Sequence, residues 1–344
     1  MELKNIHIKE RMQHYNVAGL SLTLINNGQI SESSSFGVLE AGTSKEVDNH
    51  SIFNACSISK FLTSILVFKL SDQGLLDINE NVNHRLTSWK VPENEFTQKN
   101  KVTIQNLLSH QSGIVDPEGS FSEMTTTQSS PNMTDLLMGK TSYCNDPIEV
   151  KYLPGTDFHY SDAGFCIIQQ LIEDICEKPF EEIMKELLFA PLKMTNSTFE
   201  KTIPTTRKEQ LSCGHNKDGK VVEGTYPIYP FPAASGLWTT PTDIAKLVLE
   251  LMNSLKGESK ISLSKNSVRE LFDFKGCKDW NGLGMFLDGS EQETEISSLG
   301  WGVGFQCMMV AYPYLGKGAI IMTNTDLGFH QLKGIIGEIY YSLK

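Results

Sequence analysis

Phe61, Leu62, Ile65, Leu66, Phe68 and Leu70 recur at helical spacing, and Gly74 stands where a helix begun near residue 60 would stop. Upstream, "AGLSLTLI" and "QISESSSFGVLEAG" flank Asn26-Asn27-Gly28, and apolar residues alternating around an Asn-Gly pair predict a β-hairpin. The middle of the chain, about 100 to 200, carries helical patterns such as "TIQNLLSH" and "AGFCIIQQLIEDICEKPFEEIMKELLF". Sheet returns late: "WGVGFQCMMVAYPYLGKGAIIMTNT" reads as two adjoining strands, and "HQLKGIIGEIYYSLK" closes the chain with a helix. Sheet at both ends and helices between predict a composite α/β domain from residues 1–75 and 215–344, a mainly helical domain from 76–214, and a cleft between them. The most polar stretch, Glu118 to Thr134, is expected to be a surface excursion near a pocket. In "TTPTDIAKL", Thr240 before Pro241, with Asp243 three residues on, has the form of an N-cap.

Composition narrows the partners. The 344 residues carry a formal charge of −11 without an acidic block, and no basic cluster interleaved with aromatics suggests nucleic acid. No run of about 18 apolar residues predicts membrane insertion, and the N-terminal "MELKNIHIKERMQHYNVAGL" has scattered charges in place of an export signal. The seven cysteines (Cys56, Cys144, Cys166, Cys176, Cys213, Cys277 and Cys307) are odd in number and widely spaced, which suits reduced core thiols and a cytoplasmic home. No His/Cys/Asp/Glu set has metal-ligand spacing and no phosphate-binding Gly loop opens a helix, so no metal and no cofactor is expected.

The candidate chemistry lies in Ser57-Ile58-Ser59-Lys60, immediately before the apolar helix. Residues three apart on a helix lie about 5 to 6 Å apart, so Lys60 can reach the Ser57 hydroxyl. A serine alcohol is a weak nucleophile, and lysine can take its proton only when burial or other cations lower the lysine pKa. The competing reading is a helix-capping serine followed by a solvated lysine. Ser262-Leu263-Ser264-Lys265 repeats the pattern in a polar stretch where the lysine would stay solvated and protonated.

"LLSHQSGI" (107 to 114), "YLPGTDFHYSDAGFCIIQQLIEDICEKPFEEIMKELLFAPLKM" (152 to 194) and "PAASGLWTTPTDIAKL" (232 to 247) stand in order behind that motif. Together they resemble the serine β-lactamase and penicillin-binding protein superfamily, particularly its class C-like branch of β-lactamases, D-peptidases and esterases. The resemblance implies an α+β, β-lactamase/transpeptidase-like fold: an antiparallel sheet flanked by helices, plus a mostly helical insert, with the active site between them. It implies that Ser57 is the acylated nucleophile, Lys60 its partner and Tyr160 the second-motif tyrosine. Two departures stand out. The second motif ends in Asp162 where the family mostly has Asn, which puts a carboxylate near Lys60 if the side chain points inward and leaves more of the proton work to Tyr160. The third motif, a Lys-Thr-Gly or His-x-Gly on a strand edge, falls on Ser298-Leu299-Gly300, without the cation that helps hold a substrate carboxylate.

The backbone part of that motif can persist, with the amides of Ser57 and Trp301 forming an oxyanion hole. Asp162, Ser298 and Gly300 are then the expected substrate-binding positions. His110 is expected to be structural, and the acids of "EDICEKPFEE" a solvated helix face. The expected function is a cofactor-free serine hydrolase working through an acyl-enzyme on Ser57, with a small ester or amide preferred. Its partner would be a small-molecule or peptide substrate bearing an acyl group. The alternatives are a β-lactamase or D-alanyl-D-alanine carboxypeptidase, and, from another class, a catalytically degenerate member serving in binding or assembly.

Overall fold

In the computed structural model, residues 1–344 are described apart from 2, 5, 125–129, 201–204, 275 and 344. The polar excursion at Glu118–Thr134 therefore lies partly outside the described residues. Five helices frame the fold: α1 (Ile8–Tyr15), α2 (Ile58–Asp72), α3 (Asp162–Cys176), α4 (Pro241–Lys256) and α5 (Ile335–Ser342). The strands are β1 (Gly19–Asn26), β2 (Gln29–Gly37), β3 (Phe53–Cys56), β4 (Leu237–Thr239), β5 (Phe286–Asp288), β6 (Glu295–Gly302), β7 (Phe305–Tyr312) and β8 (Lys317–Thr323).

Six strands form one antiparallel sheet in the order β2-β1-β8-β7-β6-β5, and β3 pairs with β4 in a separate ribbon. The β1–β8 ladder joins the two ends of the chain, with Leu20 opposite Thr323 and Leu24 opposite Ala319. The expected hairpin forms at Asn27 and Gly28, both at positive φ (51° and 69°), the left-handed pair that a tight turn between twisted strands requires. The late sheet segment holds the end of β6 as well as β7 and β8. Apolar periodicity does not show Glu295–Leu299 as strand, because Ser298 follows Ile296 on the inward face; the strand edge expected at Ser298-Leu299-Gly300 is found within β6.

Alternation divides the core in two. Leu20, Leu22, Leu24, Met308, Val310 and Ile321 face α1 and α5, where they meet Ile8, Met12, Ile335 and Ile339. Ile296, Cys307, Met309, Ile320 and Met322 belong to the larger cluster on the other face, shared with α2 and α4. Arg11 of α1 ties down α5 through a two-point bond to Glu338 (2.6 and 2.7 Å). Helix α2 is buried along nearly its whole length, from Ile58 to Leu70, and Gly74 follows it at φ +71°. Thr240 caps α4 by accepting the Asp243 amide, as its spacing suggested. The acids of "EDICEKPFEE" are not uniformly solvated: Asp174 accepts the Thr87 and Ser88 amides and the Ser88 hydroxyl, pinning a distant loop to α3. All seven cysteines are free, five of them buried, Cys176 half-buried and Cys277 exposed. No helix among the described residues is long and apolar enough to cross a membrane.

Candidate active site

The nucleophile candidate sits at a sharp strand-to-helix corner. Strand β3 ends as the Asn54 side chain accepts the Cys56 amide (2.8 Å), and Cys56 takes φ +47°, a conformation that a residue with a side chain rarely adopts. The corner delivers Ser57 to the start of α2. Ser57 occupies the N-cap position but has helical torsions (φ −66°, ψ −6°) and makes no capping bond. Its hydroxyl instead accepts from Lys60 Nζ at 3.2 Å. The capping alternative therefore does not describe this serine.

Lys60 is 2 % exposed, and its ammonium donates to three oxygens: Ser57 Oγ, Asp162 Oδ1 at 2.5 Å and the Ala234 carbonyl at 2.9 Å. Burial by itself would lower the lysine pKa. The Asp162 carboxylate, with Tyr160 and the bonds to both, reverses that, and Lys60 is held above the ordinary lysine value. The second-motif aspartate does point inward. Ala234 belongs to the short helical turn Pro232–Ser235, a contact the sequence alone did not suggest.

Tyr160 keeps 43 % of its surface exposed, yet its hydroxyl end is directed inward, where it interacts with Lys60 and Ser57. Lys60 Nζ lies 4.8 Å from the centre of the tyrosine ring. Burial raises the phenol above its usual value, opposed by the charge of Lys60. His110 stacks under Tyr160 (4.4 Å between ring centres, 25° between planes), and its Nδ1 accepts the Ser161 amide. Burial, followed by the charge of Lys60, pushes this imidazole down to about 3, so the ring is a neutral support.

The corner preceding α3 is fixed from outside by Asp116, which sequence reasoning missed. Asp116 Oδ1 accepts from Ser161 Oγ (2.6 Å) and the Ala163 amide (3.1 Å), and Oδ2 accepts from the Asp162 amide (2.7 Å). Only its position just after "LLSHQSGIV" could have marked it, and nothing in its spacing to Asp162 does.

Strand β6 forms the opposite wall. Ser298, Gly300 and Gly302 share its inward face, and Ser298 is 3 % exposed, a small neutral side chain. A Cβ on Gly300 would lie 2.3 Å from both the Ala55 carbonyl and Cys307 Sγ, so glycine is what lets β6 lie against β3. The tight β6–β7 turn pairs Gly302 with Phe305 and Gly300 with Cys307. Alternate residues of an antiparallel strand direct their amides to opposite edges. The Trp301 amide is accordingly directed away from β7, beyond the three residues Glu295–Ser297 that β5 covers. The Trp301 indole is exposed and donates to Asp326 Oδ1 (2.7 Å).

Ser57, Lys60, Tyr160 and Asp162 thus come together in one cluster, with β6 carrying Ser298, Gly300 and Trp301 beside β3. The second Ser-x-x-Lys does not join them: Ser262 and Lys265 are exposed, and Ser264 caps the helix Lys265–Asp273. A cavity of about 740 Å³, lined by Phe189, Met194 and Phe199 among others, contains none of the cluster residues.

The Beta-lactamase family model matches residues 6–334. "Protein flp" of Staphylococcus aureus is 23 % identical over 238 residues, 68 % of this chain and 44 % of that protein. "Penicillin-binding protein 4" of Amycolatopsis lactamdurans is 29 % identical over 201 residues, 57 % of this chain and 50 % of that one. The chain spans about half the length of these curated relatives. The solved beta-lactamase/D-alanine carboxypeptidase of Yersinia pestis superposes with a TM-score of 0.75 at 19 % identity, covering 98 % of this chain and 96 % of that one.

Proposed function

Because the chain belongs to the Beta-lactamase family, we propose that it is a serine hydrolase that forms an acyl-enzyme on Ser57 and acts on small, neutral esters or amides. The observation that carries this reading is the buried Lys60 ammonium bonded to Ser57 Oγ at 3.2 Å. In the resting state Lys60 is protonated and Tyr160 is a neutral phenol, so the pair must lose one proton before it can accept another. Such coupled groups titrate as a unit. In the active form the Ser57 proton passes to the Lys60–Tyr160 pair as Oγ bonds to the substrate carbonyl carbon. The oxyanion is received by the amides of Ser57 and Trp301, and the helix start adds its positive dipole end. Collapse breaks the bond to the leaving group, which takes the proton from the pair. Water then attacks the acyl-enzyme by the same route and releases the acid.

Preference for neutral substrates rests on charge. Asp162 neutralises Lys60, and Ser298 stands where the family commonly supplies a cation, leaving a substrate carboxylate without a charge-assisted partner from either position. The second reading is a β-lactamase or D-alanine carboxypeptidase, favoured by the likeness to the Yersinia pestis protein, whose name carries both activities. The test is intact-mass analysis after exposure to a fluorophosphonate and, separately, to a penicillin, together with turnover of a nitrophenyl ester. Wild type and Ser262→Ala should form the fluorophosphonate adduct and hydrolyse the ester; folded Ser57→Ala should do neither. Efficient penicillin turnover moves the assignment to the second reading. No adduct with any serine-directed reagent leaves a binding or assembly protein.

A further inference from the structure

We infer that Asp116 is a positioning residue, a carboxylate clamp on the Tyr160–Ala163 corner that holds Asp162 against Lys60 and Tyr160 over the Ser57 hydroxyl. This rests on the reading of Ser57 and Lys60 as the reacting pair. Helix α3 already has a cap without Asp116, since Ser161 Oγ accepts the Gly164 amide at 3.1 Å. Asp116 is a second acceptor brought from 45 to 47 residues away, and it takes what that cap leaves: the Ser161 hydroxyl and the amides of Asp162 and Ala163. Burial, followed by the charge of Asp162, raises the Asp116 carboxyl, and the three bonds oppose this by favouring its ionised form, at the positive end of a 15-residue helix where an anion is favoured.

The clamped residues bracket the chemistry. Asp162 has its amide on Asp116 Oδ2 and its carboxylate on Lys60 Nζ, so its position is set from both ends. Ser161 has its hydroxyl on Asp116 and its amide on His110, whose ring carries Tyr160. Releasing Asp116 frees the corner on the side opposite Lys60, and a shift of about 1 Å in a reacting group can reduce a rate about a hundredfold.

The titratable groups around Lys60 are Asp162 and Cys166 on α3, Tyr160 before it, His110 beneath Tyr160 and Cys56 at the end of β3, with Asp116 behind Asp162. Of these, Asp162 makes the direct ion pair, so a loosened Asp162 lets Lys60 release its proton at lower pH.

The experiment compares wild type, Asp116→Asn, Asp116→Ala, Asp162→Asn and the double variant Asp116→Ala/Asp162→Asn on a neutral nitrophenyl ester across pH, with thermal unfolding as a control. Asp116→Ala should lower kcat by about 10- to 100-fold at near-constant KM and move the rising limb of the pH profile downward by less than Asp162→Asn does. Asp116→Asn, which keeps one acceptor oxygen, should recover part of kcat and remains the readable variant if the alanine form does not fold. In the Asp162→Asn background, Asp116→Ala should shift the limb no further. A lowered melting temperature with kcat and the pH limb unchanged in the folded variants overturns the inference and leaves Asp116 a helix cap. If wild type neither hydrolyses the ester nor labels with fluorophosphonate, the proposed function fails instead. Asp116 is then decided by the Lys60 titration in lysine-labelled protein by NMR, where equal Lys60 pKa values in wild type and Asp116→Ala overturn the clamp.

Discussion

Replacing Asp162 by Asn removes a charge and keeps the shape, so it isolates the effect of the carboxylate on Lys60. The two atoms are 2.5 Å apart, with the lysine side chain 3 % and the aspartate side chain 21 % exposed. Coulomb's law at that separation and an effective dielectric of about 20 gives about 7 kcal/mol, an upper limit because the exposed side of Asp162 is screened by solvent. An opposite charge at this range typically shifts a pKa by about 1 to 3 units, or roughly 1.4 to 4 kcal/mol. Asp162 favours the protonated lysine, so its loss must lower the pKa of the Lys60–Tyr160 pair. The rising limb of kcat/KM against pH for a neutral ester should therefore move down by about 1 to 3 units in Asp162→Asn. Below the limb, each unit increases the active fraction tenfold, offset in part by the weaker base that results. The assay is ester hydrolysis across pH at fixed ionic strength, with folding checked by circular dichroism. A limb that stays in place, or one that moves upward, refutes the view that Asp162 holds the pair protonated.

Three further outcomes follow from the geometry. Gly300→Ala should be destabilised by about 1 to 3 kcal/mol and lose activity, because its Cβ would meet Ala55 and Cys307 at 2.3 Å; a melting temperature equal to wild type would contradict the close approach of β6 to β3. His110 titrates at about 3 when folded against an ordinary value of 6.5, so the unfolded chain binds a proton the native state refuses, and stability falls as pH drops from about 6.5 toward about 3. Acidification from pH about 7 to about 5 should remove about 2 kcal/mol through this residue; urea unfolding should show that acid loss reduced in His110→Asn, and an equal loss in both proteins would count against the buried neutral ring. Ser298→Lys should raise kcat/KM for a penicillin relative to a neutral ester by roughly 10- to 150-fold, the worth of one charge-assisted hydrogen bond, and an unmoved ratio would remove the missing cation as the basis of substrate choice.

What the sequence determined by itself was local and periodic. The hairpin at Asn27-Gly28, the apolar run that became α2, the Thr240 cap and the three-residue spacing of Ser57 and Lys60 all depend on neighbours within a turn or two, and each is found in the fold. The ordered family blocks carried the overall architecture and placed Tyr160 beside the Ser57–Lys60 motif. What depended on the tertiary structure was the electrostatics of that pair. Ser57-x-x-Lys60 and Ser262-x-x-Lys265 have the same spacing; the polar stretch around the second marked Lys265 as solvated, which it is, whereas the burial of Lys60 against Asp162 is a matter of packing. The inward direction of Asp162, 102 residues from Lys60, could be posed as a question but not answered without the fold. The Ala234 carbonyl and the Asp116 carboxylate left no trace in periodicity, because a hydrogen bond between distant segments imposes no spacing on either. Strand β6 was half-hidden for a related reason: its inward face carries Ser298, Gly300 and Gly302, the two glycines required by the approach of Ala55 and Cys56 of β3, and these small residues remove the apolar alternation by which a strand is read.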